Sequence, residues 1–257
     1  MLAGFLFASI GAAVSGARQR LTVVITSPRG CRYPWAMDRK KAFKAFARAY
    51  GAVILVALLL AAGVIYFLTR GGEARTELQL PGGETAEVTP TEKMRVRTAE
   101  TQPVIDPADY TLTVGGKVER TLYLSYSDLL AMEAEERLVD LPCVEGWTET
   151  ALWKGVRLSR LLDMAGVMEG ADNVVFASPG GYTTSLTLPD IEETEPLLAY
   201  EVNGEPLPGE QGFPVRLVVP GRLGYKWIKW VTSVEVISGE YKGYWESRGY
   251  SNQAEAP

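Results

Sequence analysis

Leu141-Pro142-Cys143-Val144-Glu145-Gly146-Trp147 holds one of the chain's two cysteines, and the one that lies in its acidic C-terminal part. A lone thiol among apolar and aromatic neighbours is either an inert core residue or a soft metal ligand. Free cysteine is most often simply buried, so the heptapeptide taken alone favours the inert reading. The residues around it shift the balance.

The net charge of −5 conceals two regions of opposite sign. Residues 1–70 carry ten Lys/Arg against Asp38 alone, whereas residues 71–257 carry sixteen basic and thirty acidic residues. Between Arg48 and Arg70, residues 49–69 are uncharged and include Val53-Ile54-Leu55-Val56-Ala57-Leu58-Leu59-Leu60. At ~1.5 Å per residue this run reaches ~30 Å as a helix, the thickness of a bilayer's hydrocarbon core, and one transmembrane helix in contact with membrane lipid is expected over 49–69. Arg39, Lys40, Lys41, Lys44 and Arg48 precede it. The positive-inside rule keeps residues 1–48 in the cytoplasm as a basic segment and puts the C-terminal domain outside, which describes a single-pass protein of the cell membrane. A cleaved signal peptide is the alternative; against it stand the length of the run and the lack of a clear small-x-small site at its end. Cys31 and Cys143 then face opposite compartments, and no intrachain disulfide is expected. Met37-Asp38-Arg39-Lys40-Lys41 looks like a natural beginning for such an anchor, which makes residues 1–36 candidates for sequence outside the natural chain.

Residues 70–101, rich in Gly, Glu and Thr with Pro81 and Pro90, read as a linker. From there, residues 102–257 read as one β-rich mixed α+β domain. Residues 110–114 and 120–124 alternate around Gly115-Gly116 as in a hairpin, and Ser125 with Asp128 resembles a capping box ahead of a short helix. A strand over 137–141 delivers Cys143, Ser159 is a candidate cap for a second helix stopped by Gly166, and Asn203-Gly204 is a two-residue hairpin signal. Strands are expected over 174–176, 183–188, 215–219 and 230–237, the first two joined through Pro179-Gly180-Gly181.

The chain has no histidine. That excludes Ser-His-Asp and Cys-His catalysis, His-ligated haem and most zinc sites. Gly71-Gly72 and Gly180-Gly181 lack the spacing of a nucleotide-binding phosphate loop, and an acidic domain without a basic stripe excludes nucleic acid as a partner. One basic segment stands out. No Lys or Arg occurs between Arg160 and Arg216, and then Arg216, Arg222, Lys226 and Lys229 arrive within fourteen positions, among glycines and prolines. A guanidinium with two ammonium groups suits a phosphate-bearing ligand; a solvated edge strand explains the charges equally well.

Several motifs occur together in one order: Cys143-Val144-Glu145-Gly146-Trp147, Trp153-Lys154-Gly155-Val156, Gly181-Tyr182, residues 198–207, residues 212–230, Gly243-Tyr244-Trp245-Glu246 and Gly249-Tyr250. In this the chain resembles the molybdopterin-binding oxidoreductase domain of the sulfite oxidase superfamily, and among its members the periplasmic methionine sulfoxide reductase catalytic subunit. The resemblance implies a sulfite-oxidase-type fold and a molybdenum-molybdopterin cofactor (Moco), with Cys143 as the protein thiolate on the metal. It also implies that Arg216 and Lys229, supported by Lys226, hold the pterin's phosphate and ring edge. Tyr250 falls where sulfite oxidases place a tyrosine beside the substrate oxyanion, and Tyr182 is a further pocket candidate whose other reading is an ordinary strand aromatic.

Two departures matter. Gln211 stands where many relatives carry a histidine, and glutamine can hydrogen-bond there but cannot titrate. Sulfite oxidases also use an arginine-bearing motif upstream of the ligand cysteine, and residues 97–137 contain no convincing match, which weighs against sulfite and toward a neutral oxide such as a sulfoxide. The expected activity is two-electron oxo transfer on a small-molecule substrate. Electrons would pass through a separate electron-transfer partner, a membrane haem protein or a soluble carrier. The alternative is a cofactor-free binding or scaffold module that retains the fold.

Overall fold

The computed structural model describes residues 75–256 and, ahead of them, Lys44, Tyr50, Gly51, Val53 and residues 55–62. The chain divides into two units, residues 1–69 and 70–257. In the first, the described residues are helical, and the apolar side chains of Val53, Leu55, Val56 and Leu58 to Leu60 are exposed. The transmembrane helix expected over 49–69 lies partly outside the described residues, as do the basic segment and the start at Met37. Among the described residues no helix is long and apolar enough to cross a membrane.

The second unit begins earlier than the composition suggests. Strands β1 (Thr76–Gln79) and β2 (Thr85–Val88) form an antiparallel hairpin, closed by Gly83 N–H donating to Leu80 O at 3.0 Å. Val88 and Met94 are buried, and Thr89 N–H donates to Thr150 O at 2.7 Å. Residues 76–101 are therefore folded against the domain rather than spacer: the Pro-Gly-Gly content that reads as linker is the content of one tight turn.

Two five-stranded sheets carry the domain. The first contains β5 (Glu135–Pro142), β6 (Thr148–Arg157), β9 (Leu197–Val202), β10 (Glu205–Pro206) and β11 (Arg216–Val218), in the order β10-β9-β6-β5 with β11 also on β9, all antiparallel. The second contains β3 (Thr111–Gly116), β4 (Leu122–Ser125), β7 (Asn173–Ala177), β8 (Thr183–Thr187) and β12 (Ser233–Ile237), in the order β4-β3-β12-β7-β8. Only β3 with β12 is parallel in this sheet, so its middle joins chain segments more than a hundred residues apart. Three short helices complete an α+β fold of mixed sheets: α1 (Tyr126–Ala131), α2 (Leu158–Ala165) and α3 (Leu188–Thr194).

Local chemistry explains the boundaries. Ser125 and Asp128 form the expected capping box at the start of α1. Helix α2 starts one residue before the proposed Ser159 cap, with Arg157 at the cap position, and stops at Gly166 in the left-handed conformation. A second capping box, Thr187 with Asp190, opens α3 beside Pro189 and was not anticipated. Gly115 and Gly116, expected in a turn, instead complete β3. Asn203 and Gly204 turn β9 into β10 with φ of 52° and 82°, as a two-residue hairpin requires.

The core is continuous between the sheets and includes Phe176 and the edge-to-face pair Trp153–Trp227, whose ring centroids are 5.9 Å apart. At Gly155 the β6–β9 register shifts, and a Cβ there would lie 2.2 Å from Leu198 O. Gly155→Val is accordingly expected to lower the unfolding free energy of the C-terminal unit by ~1–3 kcal/mol, read as a fall in the urea midpoint without a change in slope. An unchanged midpoint would show that β6 and β9 can separate there at no cost.

Candidate active site

Cys143 sits in the turn between β5 and β6. Its N–H donates to Trp147 O at 2.9 Å, Gly146 N–H returns to Cys143 O at 3.0 Å, and Gly146 takes φ of 83°, a conformation that glycine adopts without a Cβ penalty. The half-buried thiol is thereby held against a cavity of about 350 Å³. The cavity's walls come from Arg95 and residues 97–100, the Cys143 turn, Gly224, Tyr225 and residues 227–230 with Gln211 and Arg216, and the aromatics Tyr182, Trp245 and Tyr250.

The basic end of the cavity is built on Arg216, only 2% exposed. Its Nη1 donates to Gln211 O at 3.0 Å and Gln211 Oε1 at 3.2 Å, and Nη2 reaches Trp227 O at 3.4 Å. The guanidinium carbon lies 4.9 Å from the Trp153 ring and 5.8 Å from that of Trp227. Every one of these partners is neutral, and the buried Nε has no hydrogen-bond partner among the described residues. Burial lowers the pKa of Arg216 to about 10, which still leaves it a cation at neutral pH. Lys229 Nζ donates to Glu210 O at 2.6 Å, and burial together with the neighbouring Arg216 charge lowers its pKa to about 7. Two partly desolvated cations beside an unused buried N–H form a cradle for an anion.

The aromatic rim is braced from within. Tyr182 Oη donates to Tyr225 O at 2.5 Å, and burial raises the pKa of its phenol, so Tyr182 is a brace rather than an acid. Tyr250, 39% exposed, packs edge-on against Tyr225 with centroids 5.3 Å apart and lies 4.9 Å from Trp245.

Of the residues singled out in the sequence, the structure brings together Cys143, Tyr182, Gln211, Arg216, Lys229 and Tyr250. Lys226 stands apart. Its side chain is fully buried away from the cavity, donating to Glu246 Oε1 at 2.6 Å, Ser185 O at 2.8 Å and Asn252 Oδ1 at 3.0 Å. Its charge is already neutralised by a carboxylate, so Lys226 holds the fold and not a ligand.

Two residues were missed because they lie in the stretch read as linker. Arg97 lines the cavity and pairs with Glu145, and Arg95 lines it with its guanidinium carbon 5.0 Å from the Trp147 ring. Arg95 N–H donates to Glu149 Oε1 at 2.7 Å, while Glu100 accepts from Ser178 Oγ at 2.6 Å and from Tyr182 N–H at 3.2 Å, which pins this segment at both ends. Lys93, Arg95 and Arg97, three cations within five positions of an otherwise acidic domain, were the available signal.

The model of the Oxidoreductase molybdopterin binding domain matches residues 99–245, and the chain belongs to that family. It is 38% identical over 146 residues to the uncharacterized oxidoreductase YuiH of Bacillus subtilis, covering 56% of this chain and 74% of that protein. It is 35% identical over 178 residues to mitochondrial sulfite oxidase of Mus musculus, covering 58% of this chain and 33% of that one. Identity is 31% over 147 residues to the putative protein-methionine-sulfoxide reductase subunit YedZ1 of Azospira oryzae, covering 57% and 56%. The chain thus spans only a third to about half of the last two relatives. Among solved structures, the sulfane dehydrogenase SoxCD of Paracoccus pantotrophus shares the fold, with a TM-score of 0.52 at 23% identity over 68% of this chain and 52% of that one.

The domain is thus a molybdopterin-binding oxidoreductase, and its cofactor is Moco. The residues present fit that group. Among the described residues no set of three or more His, Cys, Asp or Glu could hold a metal ion, so a single thiol suits a metal that brings its other sulfur ligands with it. The Arg216 and Lys229 cradle suits the phosphate such a cofactor carries.

Two tests follow from these assignments. Lys226→Met leaves the Glu246 carboxylate buried without its cation and is expected to cost ~3–5 kcal/mol in denaturant unfolding, with Glu246→Gln in the same chain recovering part of the loss. A loss below ~1 kcal/mol would contradict the buried pair. Lys229 is a cation below pH 7 and neutral above it, and an anion favours the charged form. Sulfate, which stays a dianion over this range, is therefore expected to bind cofactor-free protein more weakly at pH 8.5 than at pH 6 by calorimetry. That dependence should vanish in Lys229→Gln; its persistence there would assign it to another group.

Proposed function

We propose that the chain is a membrane-anchored, extracytoplasmic oxidoreductase that moves an oxygen atom to or from the sulfur of a small molecule, a sulfoxide or sulfite. The observation that carries this reading is the meeting of one directed thiol and an anion cradle across a single cavity. When bound, the molybdenum cofactor supplies two-electron oxygen-atom transfer.

The chain's own residues do the rest. The Cys143 turn fixes the direction of the sulfur that would ligate the metal. Arg216, Lys229 and Gln211 would hold the phosphate-bearing end of the cofactor. Tyr182 locks the backbone of Tyr225 and with it the ring against which Tyr250 packs, leaving Tyr250 at the rim to meet a substrate oxygen. Arg97 gives the cavity the cation whose absence from the following residues had weighed against sulfite, so both sulfite and a neutral oxide remain compatible with the wall. The sulfite oxidase and methionine-sulfoxide reductase relatives support the same substrate class by their names.

Anchoring rests on the uncharged run at 49–69 and the cations before it. A tether would raise the local concentration of the domain beside a membrane electron carrier. A separate electron-transfer partner, a membrane haem protein or a soluble carrier, passes electrons to the domain or takes them from it.

Elemental analysis with pterin detection on protein from its natural source is expected to find about one molybdenum per chain, as a single cofactor requires. Cys143→Ala is expected to abolish turnover of sulfite and sulfoxides while the pterin stays bound. Folded protein with neither molybdenum nor pterin, or full activity in Cys143→Ala, would refute the proposal.

A further inference from the structure

Arg97 and Glu145 face each other across the mouth of the cavity, and Glu145 is only two residues from Cys143. Arg97 Nε lies 3.1 Å from Oε1 and 2.9 Å from Oε2 of the same carboxylate. Trp147 Nε1–H adds a bond of 2.9 Å to Oε2, so the carboxylate is oriented by its own turn. The segment bearing Arg97 is tied down at Glu149 and at Ser178, which keeps its Cα at the cavity wall while the exposed guanidinium is free to change partner.

The pair is 58% and 48% exposed, unlike the sealed Lys226–Glu246 pair. Solvent-facing pairs are weak, so Glu145 can be displaced. Displacement nevertheless has a consequence that depends on the visitor's charge. An anion reaching Arg97 must compete with a carboxylate already seated there and then stay beside it, whereas a neutral oxide meets neither penalty. The solvent-facing pairs Arg160 with Glu133 and Arg157 with Glu195 line no part of the cavity and have no such effect.

We infer that Glu145 is a specificity-determining residue: as the internal counter-ion of Arg97, it disfavours anionic substrates and favours neutral oxygen-bearing ones. The inference rests on the reading of this cavity as the oxo-transfer site. Glutamine at 145 keeps the size and the acceptor for Trp147 while removing the charge, which makes Glu145→Gln the informative change.

In the holoenzyme, where the cofactor fills the Arg216 cradle, sulfate binding is measured by calorimetry, and KM and kcat are measured for sulfite and for dimethyl sulfoxide. Glu145→Gln is expected to bind sulfate about fivefold more tightly and to lower KM for sulfite by the same factor, with KM for dimethyl sulfoxide unchanged within about twofold. Glu145→Asp, which keeps the charge, is expected to show no gain. Adding Arg97→Gln to Glu145→Gln should erase the gain. Sulfate affinity equal to that of the unchanged protein, or an equal shift for the neutral substrate, would overturn the inference. A holoenzyme that turns over neither substrate would instead refute the oxo-transfer reading, while the sulfate titration would still decide the role of Glu145 at Arg97.

Discussion

A guanidinium held out of water between two indole rings is the constraint on which this half of the domain depends. Taking Arg216 out of solvent costs several kcal/mol, and the chain offers it carbonyls, one amide oxygen, ring faces and the field of the buried Glu149 carboxylate in return. Supplying even these requires three separate elements to converge. Trp153 comes from β6, Gln211 from the helical turn Gly209–Gln211, and Trp227 from the stretch after β11. The compensation remains incomplete, since burial outweighs Glu149 and the Nε–H has no hydrogen-bond partner among the described residues, which is how a binding site differs from a finished core. Lys226 shows the contrast: a cation equally buried, but closed on Glu246 and therefore structural.

The same distinction explains what was legible in the sequence. Features governed by neighbours in the chain could be read directly: the Ser125–Asp128 cap, the stop at Gly166, the Asn203-Gly204 turn. Cys143, Arg216, Lys229, Gln211, Tyr182 and Tyr250 were legible as a set because the motifs around them resemble those of a family, not because composition distinguishes them. Lys226 could not be sorted from Lys229, since its role is fixed by Glu246 and Ser185, twenty and forty-one positions away. Arg95 and Arg97 were lost for another reason. Strands β1 and β2 are mostly exposed and carry few apolar residues, so no buried face shows as an alternation, and the turn between them carries the composition of a linker.

Electrostatics reconciles an acidic domain with a site for anionic groups. The carboxylates near the cavity are engaged by specific donors: Glu100 by Ser178 and Tyr182, and Glu145 by Arg97 and Trp147. The cations Arg216 and Lys229 hydrogen-bond only neutral acceptors, and the Glu149 carboxylate that acts on both is itself engaged by the Arg95 N–H. Local potential therefore follows the pairing of charges and not their total, and net charge is a poor guide to what a recessed pocket attracts.

The parallel pairing of β3 with β12 has a consequence for the order in which the protein can come into being. Residues 111–116 leave the ribosome early and wait for residues 233–237 before the centre of their sheet exists. The cavity is later still, because its walls include both Arg95 and Tyr250. Chain elongation delivers these ends more than a hundred residues apart, so a nascent chain has no pocket to fill until Tyr250 has emerged. Cofactor insertion is thereby confined to chains elongated past Tyr250, and a product truncated before that residue lacks the means to sequester the cofactor.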